Sequence, residues 1–240
     1  MESAKYWDVG GRETNEDYVV NLEIGDNGFY LAADGLGGHN CGEVASKCVC
    51  ETMMQMFEEK LQNDRETMRE YFVKAQQALL KKAEEEPIRK GMRTTAVALA
   101  ICGKIAAWGH VGDSRLYHIR DGEVLSITAD HSVAYISYLN GEIKYKDIRK
   151  SPDQNRLIRS MGSEEKFKPD IAESVEVKDG DAFLLCTDGF WEYISEKEIT
   201  ASLKKSRTAS RWLAKMVRVV KKNGRKNPDR DNSSAVTVLV

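Results

Sequence analysis

Five short motifs of this 240-residue chain place carboxylates in turns or at the ends of apolar runs, beside glycine or small polar residues. They are Asn15-Glu16-Asp17, Ala33-Asp34-Gly35, Gly112-Asp113-Ser114, Thr187-Asp188-Gly189 and Asp231-Asn232. An acid at the end of a buried strand sits on a rigid scaffold, and an adjacent glycine lets backbone carbonyls approach a ligand. Carboxylates gathered without cationic partners raise each other's pKa values, so a divalent cation is the natural compensation. Oxygen ligands favour Mg²⁺, Mn²⁺ or Ca²⁺ over zinc.

Each motif taken alone is ordinary turn chemistry, because Asp-Gly is a common turn dipeptide. We interpret Asp121-Gly122 and Asp179-Gly180 in that way. Asp34 and Asp188 differ, because both end runs of the form apolar-apolar-small-Asp-Gly. This is the pattern expected of paired strands at one end of a sandwich. The motifs together therefore predict a metal site.

The overall composition excludes several other classes of protein. The chain has 36 basic and 38 acidic residues and a net charge of −2, so no global charge excess points to a polyanion or a membrane surface. The longest apolar run, Ala96–Cys102, is far shorter than the roughly 20 residues of a membrane-spanning helix. Residues 1–18 match no export signal, so we expect a cytoplasmic protein. The five cysteines form no C-x-x-C pair, which argues against zinc and thiol chemistry.

Short strands bounded by turn residues dominate the predicted secondary structure. They are Lys5–Val9, Tyr18–Glu23, Gly28–Ala33, Thr95–Cys102, Ile105–Val111, Arg115–Arg120, Glu123–Ile127, Val175–Val177, Ala182–Thr187 and Ala235–Val240. Asp121-Gly122 predicts a two-residue hairpin turn. No linker or repeat divides the chain, so we expect one domain over residues 1–240, with a flap at about 133–161.

Four helices complete the predicted elements. The first has apolar residues from Val44 to Leu61 at three- and four-residue spacing, and the second begins near Asn63, which we expect to cap it with Glu66 closing a capping box. The others are Glu196–Leu203 and Thr208–Lys222. Strands, a helix pair, strands and a second helix pair predict an α+β fold with sheet packed on sheet and helices outside.

The region from Lys204 to Lys226 raises a different possibility, because it carries ten basic residues. Nucleic-acid binding is the first interpretation. However, Trp212, Leu213 and Met216 form an opposing apolar face, so the basic residues fit the solvated side of an amphipathic helix. The interleaved aromatics of a base-stacking surface are missing. Docking of an acidic protein partner is the remaining interpretation.

Seven motifs together resemble those of the metal-dependent (type 2C) protein phosphatases in order and spacing. They are Arg12-x-x-x-Glu16-Asp17, Ala33-Asp34-Gly35-Leu36-Gly37-Gly38-His39, Thr94-Thr95, Val111-Gly112-Asp113-Ser114-Arg115, Thr128-x-Asp130-His131-Ser132, Cys186-Thr187-Asp188-Gly189 and Asp231-Asn232. The resemblance covers residues 5 to 240 and is closest to the compact bacterial stand-alone members.

The resemblance implies a four-layer αββα sandwich of two antiparallel sheets flanked by helix pairs, with two Mn²⁺ or Mg²⁺ ions at one end. The two ions would activate a water molecule for direct attack on phosphorus. By similarity, Asp34 would bridge both ions, Gly35 would offer its carbonyl to one, and Asp188 and Asp231 would complete the other. Glu16 and Asp17 would act through metal-bound water, and Asp113 would hold a third, weaker ion with Asp188.

Two further residues have catalytic roles by the same resemblance. Arg12 is similar to the family's phosphate-binding arginine, whose planar fork suits bidentate contact with phosphoryl oxygens. Its alternative role is a surface ion pair with Glu13 or Glu16. Eukaryotic relatives place a histidine, the general acid, where this chain has Leu36. His39 or a metal-bound water would serve instead.

The implied function is hydrolysis of phosphoserine and phosphothreonine in proteins, which reverses serine/threonine kinases. The implied partners are phosphoprotein substrates and a cognate kinase, and the resemblance favours a monomer. The alternative is a pseudophosphatase that binds phosphoproteins without turnover. Loss of a metal-bridging carboxylate would indicate that alternative, and none is lost. Arg93, which stands where the family usually has glycine, is the main departure.

Overall fold

The computed structural model describes residues 1–37, 41–85 and 91–240. The strands in these ranges are β1 Glu2–Asp8, β2 Tyr18–Ile24, β3 Asn27–Ala33, β4 Gly35–Leu36, β5 Arg93–Thr94, β6 Ala96–Cys102, β7 Ile105–Val111, β8 Arg115–Arg120, β9 Glu123–Ile127, β10 Asp170–Ile171, β11 Val175–Glu176, β12 Ala182–Cys186 and β13 Ser233–Leu239. The helices are α1 Cys41–Lys60, α2 Arg65–Glu85, α3 Val133–Leu139, α4 Asp188–Trp191, α5 Glu196–Lys204 and α6 Ala209–Gly224, with a 3₁₀ helix at Tyr145–Lys150.

The long strands form two antiparallel sheets. The first sheet has the order β1-β13-β12-β8-β9, and the second has the order β10-β7-β6-β3-β2 with β11 also paired to β7. Helices α1 and α2 lie on the second sheet, whereas α5 and α6 lie on the first. The α+β fold with four layers in the order αββα is therefore confirmed. In the part of the chain described, no helix is both long and apolar enough to cross a bilayer.

Three apolar clusters fill the three spaces between the four layers. Successive residues of β3 show how one strand serves two of them, since Phe29 and Leu31 pack under α1 and α2 while Tyr30 packs between the sheets. Strand β12 does the same, with Leu184 facing the α5–α6 side and Phe183 facing the other sheet. Because both faces of these strands are buried, their sequences are continuous apolar runs.

Two local predictions from the sequence are wrong. Asn63 does not cap α2, because its side-chain amide donates to the carbonyls of Ala100 (3.2 Å) and Ile105 (2.6 Å). Asp64 is the cap, and its carboxylate accepts the backbone N–H groups of Glu66 and Thr67. The strands that precede Asp34 and Asp188 are also not paired, since β3 and β12 belong to different sheets that face each other.

A buried ion pair joins the first sheet to the segment that leads into α3. Arg115 at the start of β8 donates two hydrogen bonds to the Asp130 carboxylate, of 2.8 and 2.6 Å. Both side chains are almost fully buried, and the Arg115 guanidinium also lies 3.5 Å from the ring centre of Trp191. Burial of two charges is tolerated only where such paired hydrogen bonds compensate for lost hydration.

Asp130→Ala should destabilise the fold by about 3–5 kcal/mol, because it leaves the Arg115 charge buried and unpaired. Asp153→Ala is the matched control, since Asp153 pairs with Arg156 on the exposed surface and should change the free energy of unfolding by less than about 1 kcal/mol. Urea unfolding of both variants measures the difference. Equal losses would refute a special role for the buried pair.

Candidate active site

An open cavity of roughly 380 Å³ lies where the strand ends of the two sheets meet. Its walls include carboxylates from every motif of the acidic pattern, brought in from different elements: Glu16 before β2, Asp34 after β3, Asp113 between β7 and β8, Asp188 at the start of α4 and Asp231 before β13. The second residue of the Glu16-Asp17 pair is buried behind the cavity. The predicted acids are thus close together in space. We call these six residues the acid cluster.

Hydroxyl groups hold the backbone of Asp34 on both sides. Its N–H donates to the Thr95 hydroxyl at 2.9 Å, and its carbonyl accepts from the Thr94 hydroxyl at 2.8 Å. The Thr95 hydroxyl also lies 2.7 Å from that of Ser114, which links the loop after β3 to the loop after β7. Because the backbone is satisfied by this network, the Asp34 carboxylate is left to face the cavity.

Gly35 is required by a close approach of three segments. A Cβ built on it would lie 2.2 Å from the carbonyl oxygen of Gly42 and 2.6 Å from that of Glu16. Its N–H donates to the same Glu16 carbonyl at 3.1 Å. Only glycine fits between the backbones, so any side chain would displace the junction of β3 and β4 that carries Asp34.

Asp17 and Asp188 are connected through the residue between β12 and α4. The hydroxyl of Thr187 donates to Asp17 at 2.9 Å and accepts the N–H of Ser234 at 3.0 Å. Asp188 Oδ1 accepts the N–H of Gly189 at 2.6 Å. The other oxygen of Asp17, Oδ1, is buried and has no hydrogen-bond partner in the described structure.

Burial and mutual repulsion disfavour ionisation of four aspartates of the cluster. Burial raises the pKa of Asp17 to about 7 and that of Asp113 to about 8. Burial, followed by the charges of neighbouring carboxylates, raises the pKa values of Asp34 and Asp188 well above the ordinary value. Within the described ranges, Arg12 is the only basic side chain that forms an ion pair with a cluster carboxylate. An all-oxygen, anionic, under-neutralised pocket fits divalent cations.

Arg12 lies at the rim of the cavity. Its guanidinium donates to Asp231 at 2.9 Å, and its side chain is 53% exposed. The predicted alternative partners Glu13 and Glu16 line the same cavity but do not form this ion pair. An exposed guanidinium beside a carboxylate can exchange that contact for a ligand anion.

Asn232 lines the cavity, although the sequence analysis gave it no role. The Asn232 side chain donates to the carbonyls of Val9 and Thr14 and accepts the N–H of Glu16 at 2.8 Å, so it holds the loop that carries Arg12. The position of Asn232 directly after the acidic residue Asp231 was the feature of the sequence that could have indicated this role. Glu192 is one helical turn after Asp188 and raises the pKa of that residue; its i+4 spacing was visible in the sequence.

Two other residues singled out in the sequence, His39 and Arg93, are not part of the acid cluster as the structure describes it. His39 falls outside the described residues. Arg93 lies in β5, where it is exposed and pairs with Leu36 of β4. The Leu36 strand lines the cavity, so Arg93 is one strand away from it.

His110, His131 and Asp170 form a separate cluster whose ligand atoms lie within 4.8 Å of one another. The N–H of Gly112 donates to His131 Nδ1 at 3.2 Å, so His131 Nε2 carries the proton and donates to Asp170 at 3.1 Å. Arg159 also pairs with Asp170 at 2.8 Å. Both ring nitrogens of His131 are therefore used in hydrogen bonds, and His110 Nε2 is hydrogen-bonded to the carbonyl of Ala129 at 2.7 Å. This cluster ties β10 to the loop of Asp113.

Comparison with known proteins identifies the family. The family model for Protein phosphatase 2C matches residues 11–230. Serine/threonine phosphatase stp of Listeria monocytogenes is 32% identical over 205 residues, which cover 83% of this chain and 81% of that protein. The chain therefore belongs to the protein phosphatase 2C family.

Solved structures agree with this assignment. The crystal structure of the Mycobacterium tuberculosis serine/threonine phosphatase PstP/Ppp matches with a TM-score of 0.86 and 27% identity, covering 99% of this chain and 97% of that chain. The catalytic domain of the phosphatase PstP in complex with two manganese ions matches with a TM-score of 0.85 and 26% identity, covering 98% and 96%. The fold implied by the sequence motifs is confirmed.

The His131 cluster predicts a pH dependence of stability. Burial, and then the neighbouring His110, lower the pKa of His131 to about 4 from an ordinary value of 6.5. The unfolded chain therefore takes up this proton first, and stability present above about pH 6.5 falls as the pH drops toward 4, by up to about 3 kcal/mol. Urea unfolding of the wild type and His131→Gln between pH 4.5 and 7.5 should give a flatter profile for the variant. Parallel profiles would contradict this prediction.

Proposed function

We propose that this protein serine/threonine phosphatase uses its acid cluster to hold two divalent cations, Mn²⁺ or Mg²⁺, for hydrolysis of phosphoserine and phosphothreonine in proteins. The observation that carries the proposal is the convergence of buried carboxylates with raised pKa values and one partner cation, Arg12, among the described residues. Membership of the protein phosphatase 2C family supports the activity. Relatives that are themselves named serine/threonine phosphatases support the substrate class.

The ligand assignment follows the resemblance of the acidic motifs to those of the family. Asp34, which follows β3, would contribute to both cation positions, and the Gly35 carbonyl would contribute to the first. Asp188 and Asp231 would complete the second position, while Glu16 and the unpartnered Oδ1 of Asp17 would accept hydrogen bonds from the hydration shell. When bound, the cations lower the pKa of water and neutralise phosphoryl charge.

Arg12 would orient the substrate. Its guanidinium can leave Asp231 and donate two parallel hydrogen bonds to non-bridging phosphoryl oxygens. Asn232 keeps the Arg12 loop in place through three hydrogen bonds, so the guanidinium starts close to the position it needs. This pre-positioning reduces the entropy lost when substrate binds.

Two assignments extend the proposal. Asp113, whose pKa burial raises to about 8, would hold a third and weaker cation together with Asp188. His39 remains the predicted proton donor to the leaving alkoxide, with a metal-bound water as the alternative. The presence of every predicted carboxylate favours turnover over the pseudophosphatase alternative.

The cellular context is proposed on the same basis. Phosphoproteins are the substrates, and a cognate serine/threonine kinase is the opposing enzyme. We propose a monomeric, cytoplasmic catalytic domain over residues 1–240, in which segment 133–161 acts as a flap. That segment contributes Asn155 and Leu157 to the cavity wall, so it is placed to contact the substrate around the phosphoryl group.

Phosphate release from a phosphothreonine peptide tests the proposal. We expect turnover with Mn²⁺, none with EDTA, and a loss for Asp188→Asn greater than the roughly 10- to 100-fold that removal of an outer-shell partner costs. Arg12→Lys should lower kcat/KM about tenfold, because an ammonium cannot donate the paired hydrogen bonds of a guanidinium.

Arg69→Lys is the matched control, because Arg69 is exposed on α2 and should leave the rate unchanged. Undiminished turnover in EDTA would refute the metal-dependent mechanism. Equal rates for the Arg12 and Arg69 variants would refute the phosphate-binding role of Arg12.

A further inference from the structure

Helix α6 and the turn before it concentrate positive charge. Residues 204–226 contain ten basic and no acidic residues, although the net charge of the whole chain is −2. The buried side of α6 is apolar and includes Trp212, Met216 and Val220. The basic residues therefore occupy the side that faces away from the first sheet.

Five of these residues form a regular stripe along the helix. Arg211, Lys215, Arg218, Lys222 and Arg225 follow one another at spacings of four, three, four and three residues, which places them on one face. All except the half-buried Lys215 are exposed. From first to last the stripe covers fourteen helical steps, or about 21 Å. We call these five residues the basic stripe.

The basic stripe lacks acidic partners in the described structure. Arg211, Arg218, Lys222 and Arg225 form no ion pair with any residue of the described ranges, and the nearby Asp8 is already paired with Lys221 and Arg230. Cations one turn apart repel each other and weaken a helix. The one acidic contact at the start of α6 is at its backbone, where Glu2 accepts the N–H of Ala209 at 3.1 Å, and Glu2 forms no ion pair with the stripe within the described ranges. The unfavourable arrangement suggests that an anion from outside the chain binds here.

The C-terminal end of the basic stripe leads directly to the cavity. Residues 225–230 connect α6 to Asp231, and they pack against the loop of Arg12. The N–H of Gly11 donates to the Arg230 carbonyl at 2.8 Å, and a Cβ on Gly11 would lie 1.9 Å from the Pro228 carbonyl oxygen. The segment that follows the stripe therefore packs against the loop that brings Arg12 to the cavity.

We infer that the basic stripe binds an acidic, Asp- and Glu-rich segment that flanks the phosphorylated residue of the substrate protein. The inference rests on the proposed function and adds a substrate preference to it. At about 3.3 Å per residue, an extended segment of about six residues matches the 21 Å of the stripe. The cavity rim bears Glu13 and Glu16, which repel anionic substrates, so attraction by the stripe would speed their association.

An acidic peptide fits this surface better than nucleic acid does. Nonspecific binding of single strands depends on aromatic side chains that stack on bases. The single aromatic residue between 204 and 226 is Trp212, and it is fully buried. The basic stripe offers positive charges without an aromatic surface for stacking, so its chemistry suits the carboxylates of an acidic peptide.

The test compares four substrates: p-nitrophenyl phosphate, a phosphothreonine peptide with neutral flanks, and two versions of that peptide with six Asp or Glu residues before or after the phosphothreonine. The variant Arg218→Gln/Lys222→Gln/Arg225→Gln should lower kcat/KM for the better acidic peptide at least tenfold. It should change the rates for p-nitrophenyl phosphate and the neutral peptide less than twofold. The preference of the wild type for the acidic peptide should disappear in 0.5 M NaCl, because salt screens exposed charges.

The matched control is Arg69→Gln/Lys74→Gln/Lys81→Gln, which removes three exposed charges from α2 and should retain the preference. Equal rates of the stripe variant and wild type on the acidic peptides would refute the inference. Loss of single-stranded DNA retention with unchanged peptide kinetics would also refute it and would assign the stripe to nucleic acid. A wild type that hydrolyses none of the substrates would instead refute the proposed function.

Discussion

Repulsion among buried carboxylates is the constraint on which the rest of this structure depends. Burial and the neighbouring carboxylates raise the pKa values of Asp34 and Asp188 well above the ordinary range. A cluster of this kind destabilises the folded chain unless cations bind to it. The remainder of the fold must therefore hold the acids close together against a force that separates them.

The layered core provides that resistance. The acids stand at the ends of strands from both sheets, so their spacing is determined by how the sheets stack. Residues such as Tyr30 and Phe183 fill the space between the sheets, and two further apolar clusters fasten the helix pairs outside. Since protein interiors are close-packed and resist deformation, strand ends anchored in this way keep their separation. Hydroxyl groups of Thr95 and Thr187 then fix the local backbone.

Much of this arrangement could be predicted from the sequence. The bounds of β7, β8 and β9 agree with the apolar runs and turn residues that predict them, and the positive φ values of Asp121 and Gly122 are those of the expected hairpin turn. The two-residue strands β4, β5 and β10 were not predicted, because two residues carry no periodicity. The α2 cap was misassigned to Asn63, because two polar residues competed for one position and a tertiary contact with Ala100 decided between them.

In the candidate site, too, local sequence signals were predictive and contacts between distant segments were not. Acidic motifs indicated which residues would gather, since Asp-Gly at a strand end is a local signal. They could not indicate that Asp34 and Asp188 come from opposite sheets, because register and layer depend on the whole chain. Asn232 acts through contacts with a loop more than 200 residues earlier, which no local pattern reports. The basic stripe, by contrast, is visible in the sequence as a helical spacing of basic residues. The structure was needed only to show its position relative to the cavity.

Thermal unfolding of the wild type and Asp188→Asn, at pH 7.5 with EDTA and with Mn²⁺, tests the central claim most directly. The asparagine keeps the oxygen that accepts the Gly189 N–H. It removes the ionisable carboxyl group, whose pKa is raised in the folded protein by burial and by neighbouring carboxylates. In EDTA the variant should be more stable than the wild type, because the asparagine carries no charge that burial and the neighbouring carboxylates disfavour. In Mn²⁺ the wild type alone should gain stability with metal concentration. A variant that is less stable in EDTA, or that gains as much from Mn²⁺ as the wild type, would contradict the account.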